Sequence, residues 1–238
     1  MTDSRPRTAV VTGASRGIGL AVARALAMHD IRVLMLARGE GALVKAAEAI
    51  GARAIPFTCD VSDARSIDAM VDRARDEFGD APDVLVNNAG MFRLAPAHAT
   101  SADEFAEALD VNLVAPFRLL RAFLPAMRDR KRGHIVSIGS IADRVAFPEN
   151  AAYAASKFGL RGLHEVLRAE LANTGVRVTL ISPAPVDTAL WDEVDPDNRP
   201  GFTPRAGMLQ PEAVADAVLY AIAQPFAVNV DELRLSHA

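Results

Sequence analysis

Seven short apolar runs alternate with helical patterns along this chain, and that alternation limits the available folds more than any other feature. The runs lie at 8–11, 31–36, 54–58, 82–86, 134–138, 176–181 and 228–235. A continuous apolar run of this length is what a strand buried on both faces requires. Helical spacing occupies 20–28, 41–50, 62–78, 101–113, 116–130, a stretch opening near 151, and 211–223. No repeat, low-complexity tract or linker interrupts the order. The expectation is an α/β protein with a doubly wound, Rossmann-type fold, its single mostly parallel seven-stranded sheet covered by helices on both faces. Half of the 238 residues are hydrophobic, enough to fill the core of one domain spanning 1–238.

The first run leads into Thr12-Gly13-Ala14-Ser15-Arg16-Gly17-Ile18-Gly19 and then a helix. Strand, Gly-rich turn and helix is the setting a dinucleotide fingerprint needs. Gly13 permits the tight turn, Gly17 lets backbone approach a pyrophosphate, and Gly19 lets helix and sheet pack closely. Ser15, Arg16 and Ile18 share the turn and join the glycines as candidate cofactor contacts. At the end of the second strand such folds read the adenosine ribose, and an acidic residue there would bond the 2′-hydroxyl of NAD. Here the positions are Ala37 and Arg38. Arg38 has forked donors suited to a 2′-phosphate, and Arg16 is a second. NADP(H) is therefore expected over NAD, against the plainer reading of Arg38 as a surface residue. Asp60, followed by Val61, ends the third strand; it can accept from an adenine amino group or serve the next helix cap, where Ser62 is the expected N-cap. After the fourth strand comes Asn87-Asn88-Ala89-Gly90. Its short amides can pin backbone, and Gly90 allows close approach, so Asn88, Ala89 and Gly90 are further cofactor candidates.

Ala151-Ala152-Tyr153-Ala154-Ala155-Ser156-Lys157 opens the sixth helical stretch. A spacing of four puts the phenol and the ammonium on one helical face. A free Tyr ionises near pH ~10, and a cation beside it favours the phenolate. A shift of about three units needs about 4 kcal/mol. A close ammonium in a partly dry site, helped by the positive ring of a bound nicotinamide, can supply that. The pair is expected to form a proton donor tuned toward neutral pH; taken alone it is more often just two residues of a surface helix. Ser140, thirteen residues before Tyr153, ends the fifth strand, so the loop between can fold both side chains over one point. Asn112 is an amide in an apolar helical region, which is costly without partners; it is a site candidate or a helix-kink residue. The longest irregular stretch, about 192–209, is rich in Pro and Gly, with Trp191 at its edge and Phe202 inside. A substrate lid over about 189–210 is expected.

A net charge of -4, with both signs interspersed, makes no case for nucleic acid or an anionic membrane. Arg128-Asp129-Arg130-Lys131-Arg132 precedes Gly133 at an expected helix end, where cations suit the dipole and Gly the cap; a docking site for an acidic partner is the alternative. Cys59 is the only cysteine, so no intrachain disulfide forms, which suits a reducing compartment. No signal core and no apolar run of about 18 residues occurs, so a cytoplasmic protein is expected. The histidines lack metal-ligand spacing, and no metal is expected.

Together these motifs resemble the classical short-chain dehydrogenase/reductase family over nearly the whole chain. Thr12-Gly13-(x3)-Gly17-x-Gly19 is similar to its cofactor turn, Asn87-Asn88-Ala89-Gly90 to its sheet-stabilising motif, and Asn112, Ser140, Tyr153 and Lys157 fall where its catalytic tetrad falls. The resemblance implies hydride transfer between NADP(H) and a carbonyl or secondary alcohol. Tyr153 would be the acid/base and Ser140 would hold the substrate oxygen. Lys157 would lower the Tyr153 pKa and bind the nicotinamide ribose, and Asn112 would hold a relay water. Pro183, Val186 and Thr188 would hold the carboxamide, although Ala184 stands where the family carries Gly. The pocket, placed after the fourth, fifth and sixth strands, would include Phe92, Phe147 and Trp191, fitting a mostly apolar substrate; Arg93 and Arg144 could pair with an anionic group. The resemblance also implies a homodimer or homotetramer packed through the Tyr153 helix and the one before it. A 3-oxoacyl-carrier-protein reductase and a non-catalytic nucleotide sensor are the alternatives.

Overall fold

The computed structural model describes residues 6–238. Strands β1 (Thr8–Thr12), β2 (Arg32–Ala37), β3 (Ala54–Thr58), β4 (Val84–Asn87), β5 (Gly133–Ile138), β6 (Val176–Pro183) and β7 (Glu232–Leu235) form one sheet in the order β3-β2-β1-β4-β5-β6-β7. Every pairing is parallel. The chain winds outward from β1 to β3, then returns to place β4 on the other side of β1. A crevice opens at that reversal, beyond the carboxyl ends of β1 and β4.

Helices α1 (Gly17–Met28), α2 (Glu40–Ile50) and α7 (Pro211–Ala223) cover one face; α3 (Ala64–Phe78), α5 (Ala115–Asp129) and α6 (Ala151–Glu170) cover the other. Strand β1 shows why its run is apolar without alternation. Ala9 and Val11 pack toward α1 and α7, and Val10 packs toward α3 and α5. Successive side chains point to opposite faces, and here both faces are interior. No helix among the described residues is long and apolar enough to cross a membrane.

Three local expectations are corrected. The N-cap of α3 is Asp63, whose carboxylate accepts from the N–H groups of Arg65 and Ser66 at 3.2 and 3.3 Å. Ser62 instead donates to Asp60. The helix expected over 101–113 stops early: α4 is Ala102–Leu109, closed at its start by a Ser101–Glu104 capping box, and Asp110–Val114 is a π-helical turn leading into α5. At the end of α5 the left-handed residue is Lys131 (φ 51°), not Gly133, which already belongs to β5. The nearby arginine cluster is partly engaged internally. Arg130 donates to the carbonyls of Ala81, Pro82 and Arg132 and so holds the turn before β4.

Two buried histidines make the fold sensitive to acid. Burial lowers His134 to about 3 and His164 to about 4, with Arg177 and Arg168 adding to it. Both stay neutral in the folded chain while the unfolded chain protonates near pH ~6.5. The unfolded state therefore binds more protons below that pH, and stability falls as pH drops from about 6.5 toward 4. A melting curve measured across that range should show the decline. In His164→Leu the slope should shrink by up to one proton, or roughly 1.4 kcal/mol per pH unit. An unchanged slope would remove His164 from the account.

Candidate active site

Thr12, at the end of β1, ties the two halves of the crevice together. Its hydroxyl accepts from the N–H groups of Asn88 and Ala89 at 2.9 and 2.8 Å. Asn88 Nδ2 donates back to the carbonyls of Thr12 and Gly13 at 2.8 and 3.3 Å. The expected pinning role of the Asn-Asn motif is thus exerted across the β1–β4 switch point. Gly13 sits at φ +66°, a left-handed conformation that suits glycine. A Cβ on Gly19 would lie 2.2 Å from the Gly13 carbonyl oxygen, so only glycine lets α1 start this close to the turn. The first turn of α1 has no acidic residue, and its N-cap, Arg16, contributes no side-chain cap. Its leading N–H groups face an open cleft of about 1080 Å³.

That cleft gathers nearly all the residues expected from the sequence. Gly13, Ser15, Arg16, Gly17, Ile18, Arg38, Asp60, Val61, Asn88, Ala89 and Gly90 line one end. Ser140, Tyr153, Lys157, Pro183, Val186, Thr188, Phe92, Phe147 and Trp191 line the other. Gly19 and Asn112 are buried just behind its wall. Arg16 and Arg38 are exposed and in no ion pair among the described residues, and the positive charge of Arg38 reaches Asp60. Asp60 does not cap α3, whose N-cap is Asp63. Asp60 faces the cleft, and its Oδ1 accepts from the hydroxyl and N–H of Ser62 at 2.7 and 2.9 Å, which with Arg38 lowers its pKa. A glycine cradle, an uncapped helix start and two exposed guanidiniums, Arg16 in the turn and Arg38 just after β2, fit a phosphorylated dinucleotide.

Asn112 owes its place to the π-helical turn, an irregularity that recurs at functional sites. Its Oδ1 accepts from Met91 N–H at 2.8 Å, and its Nδ2 donates to the Met91 carbonyl at 3.0 Å and to Ser156 Oγ at 2.9 Å. Both amide hydrogens are engaged within the protein. The side chain clamps the loop after β4 to α6.

Lys157 Nζ donates to the Ile138 carbonyl at 2.9 Å and lies 5.5 Å from the centre of the Tyr153 ring. Phenol and ammonium do share one cleft, as their spacing implies. In the chain by itself burial, rather than the neighbouring ammonium, dominates both groups. Burial pushes Tyr153 up to about 12, with Asp143 adding to the rise and a hydrogen bond with Ser140 opposing it. Burial brings Lys157 down to about 8 against the pull of Asp143. The seclusion that brings the pair together disfavours both charged forms. Asp143 was not among the residues singled out in the sequence. It is fully buried beside the site, accepts from the Ser182 hydroxyl, and pairs with Arg144 at 3.0 Å. Nothing local distinguishes it from a surface Asp; its burial comes from β6 and the turn after Ser140. Arg144 also pairs with Glu232, and Arg93 pairs with Glu104, so neither is a free anion receptor. Ala184 adopts no left-handed conformation and donates to the Leu235 carbonyl at 2.8 Å, so alanine is accommodated in place of the family glycine.

A parallel sheet with a glycine-edged cleft at its switch point is the architecture of dinucleotide-binding oxidoreductases. A family model described as short chain dehydrogenase matches residues 7–199. A protein of Staphylococcus saprophyticus named an uncharacterised oxidoreductase is 34% identical over 239 residues, covering 99% of each chain. An alcohol dehydrogenase from the archaeon Thermococcus sibiricus, solved with 5-hydroxy-NADP, superposes with a TM-score of 0.86 at 33% identity, covering 98% of this chain and 97% of that one. A metagenomic short-chain oxidoreductase solved with NADP gives 0.84 at 35% identity, covering 99% of both. The chain belongs to the short-chain dehydrogenase/reductase family and is an oxidoreductase of that family.

Proposed function

We propose that this protein is an NADP(H)-dependent reductase of carbonyl compounds, acting reversibly on the corresponding secondary alcohols. The observation that carries the reading is the meeting of Tyr153, Ser140 and Lys157 in the same cleft as the glycine turn and the free Arg38. Arg38 and Arg16 would hold the 2′-phosphate, the α1 N-terminus the pyrophosphate, and Asp60 with Val61 the adenine. Lys157 would reach the nicotinamide ribose, and Pro183, Val186 and Thr188 its carboxamide. Bound NADPH would supply the hydride that reduces the carbonyl carbon.

The chain's own part is proton supply, position and charge. Ser140 hydrogen-bonds the substrate oxygen and stabilises the negative charge that develops there. Tyr153 Oη gives that oxygen its proton and regains one from solvent. The phenol is protonated at neutral pH, as a free Tyr is, so the proton needed in the reducing direction is in place. The ammonium of Lys157 stabilises the transient phenolate. Asn112 positions both, through Ser156 and the Met91 loop. Residues 189–210 act as the lid of this one catalytic domain. The exposed Phe105, Phe117, Phe158 and Val166 on α4, α5 and α6 are the surface through which we expect a dimer or tetramer to form.

Kinetics with NADPH and NADH on one ketone test the cofactor assignment. In Arg38→Ala the ratio of kcat/KM for NADPH over NADH should fall by roughly 10–100-fold, the value of a charge-assisted contact. A ratio that does not move would assign the 2′-phosphate elsewhere.

A further inference from the structure

The substrate end of the cleft is walled by aromatic rings in an unbroken series. The Tyr153 ring meets Phe92 edge to face at 4.9 Å. Phe92 meets Trp191 at 5.0 Å, Trp191 meets Phe202 at 6.2 Å, and Phe202 meets Phe147 at 6.4 Å. The interplanar angles run from 63° to 86°, the edge-to-face geometry that ring quadrupoles prefer. Only 5% of the chain is aromatic, yet its one Trp and one of its two Tyr stand here. The rings come from three separate segments: the loop after β4, the stretch from β5 into α6, and the stretch after β6. The indole N–H of Trp191 donates to the Val186 carbonyl at 3.1 Å, which fixes the ring at the centre of the series.

The arginines at this end are all paired. Arg199 pairs with Glu149, and its guanidinium stacks 5.0 Å from the centre of the Phe202 ring. Arg93 is held by Glu104, and Arg144 by Asp143 and Glu232. Glu107 lines the same cleft, is exposed, and forms no ion pair among the described residues. An anionic substrate would have to break one of these pairs and would meet the Glu107 carboxylate.

Building on the reductase reading above, we infer that the substrate class is an uncharged carbonyl compound carrying an aromatic ring, which inserts among Phe92, Trp191 and Phe202 while its carbonyl reaches Ser140 and Tyr153. An aryl group adds ring–ring contacts to its hydrophobic burial; a saturated ring of similar size adds burial alone. A carboxylate substrate finds the arginines at this end already paired, and the remaining cation, Lys157, is held by the Ile138 carbonyl beside the Tyr153 ring.

The test compares NADPH-dependent reduction of benzylacetone, its cyclohexyl analogue, levulinate and diacetyl. Benzylacetone and the cyclohexyl ketone have equally reactive carbonyls, so their ratio isolates aromaticity. The expected kcat/KM ratio is at least about tenfold in favour of the phenyl compound, with levulinate reduced far more slowly than either. In Phe92→Leu and Trp191→Leu that ratio should fall toward one; any general loss of activity cancels in it. Glu149→Gln releases Arg199 and should raise kcat/KM for levulinate by about tenfold. A phenyl-to-cyclohexyl ratio near one in the unmodified protein, or levulinate used as well as benzylacetone, overturns the inference while diacetyl turnover leaves the reductase reading standing. No turnover of any of the four overturns both.

Discussion

Tyr153→Phe is expected to lower carbonyl reduction by about 10²–10⁴-fold, the usual value of a positioned general acid, with little change in NADPH affinity. The substitution removes one oxygen and keeps the ring, so the edge contact with Phe92 at 4.9 Å survives. Lys157 keeps its bond to the Ile138 carbonyl, and Asn112 keeps its bonds to Met91 and Ser156. What disappears is the proton at the carbonyl oxygen and the hydrogen bond with Ser140. Single-turnover kinetics alongside fluorescence titration of NADPH separate the two quantities. Turnover within a few-fold of the unmodified protein would take Tyr153 out of the chemistry. A parallel loss of NADPH binding would make its role that of a cofactor contact.

Gly19→Ala should disable the cofactor turn and weaken the fold together. The added methyl would sit 2.2 Å from the Gly13 carbonyl oxygen and 2.5 Å from Asn88 Nδ2. The first contact is backbone, and the second is the amide that pins β4 to β1, so neither yields without moving the switch point. Overpacking of this kind costs about 3 kcal/mol, which for a chain of this size lowers the melting temperature by roughly 5–10 °C. NADPH affinity should drop at least about 100-fold, because the α1 N-terminus would be displaced from the pyrophosphate. Gly41→Ala is the control. A Cβ there meets nothing within 4 Å, so it should melt at or slightly above the unmodified protein. Equal melting temperatures and equal NADPH binding for all three proteins would refute this account of Gly19.

The signals that were readable along the chain are those carried by neighbours a few residues apart. Val10 lies between Ala9 and Val11, and all three are apolar because both faces of β1 are interior. That requirement is visible in the run itself. The glycine turn shows in its spacing, and the four-residue interval from Tyr153 to Lys157 is one turn of α6. The strand–helix alternation, the cofactor end and the pairing of Tyr153 with Lys157 follow from such local patterns; the strand order β3-β2-β1-β4-β5-β6-β7 came only with the tertiary structure.

Other features depend on partners far away in sequence, and no local pattern marks them. The π-helical turn at Asn112 accompanies bonds to Met91 and Ser156, which lie 21 and 44 residues away. Arg199 and Glu149 are 50 residues apart, and Arg144 and Glu232 are 88 apart, so each arginine reads as a free surface cation until its partner is brought to it. The same holds for the direction of the Tyr153 and Lys157 pKa shifts. Spacing places an ammonium near a phenol, but burial and the hidden Asp143 decide which charge states are favoured, and both exist only once β5, β6 and α6 have closed around the pair. Periodicity along the chain was enough to specify the alternation of strands and helices, the cofactor cradle and the reacting pair, because each rests on short-range geometry. Desolvation, charge cancellation and the aromatic wall are properties of an enclosed volume, and only the folded chain encloses one.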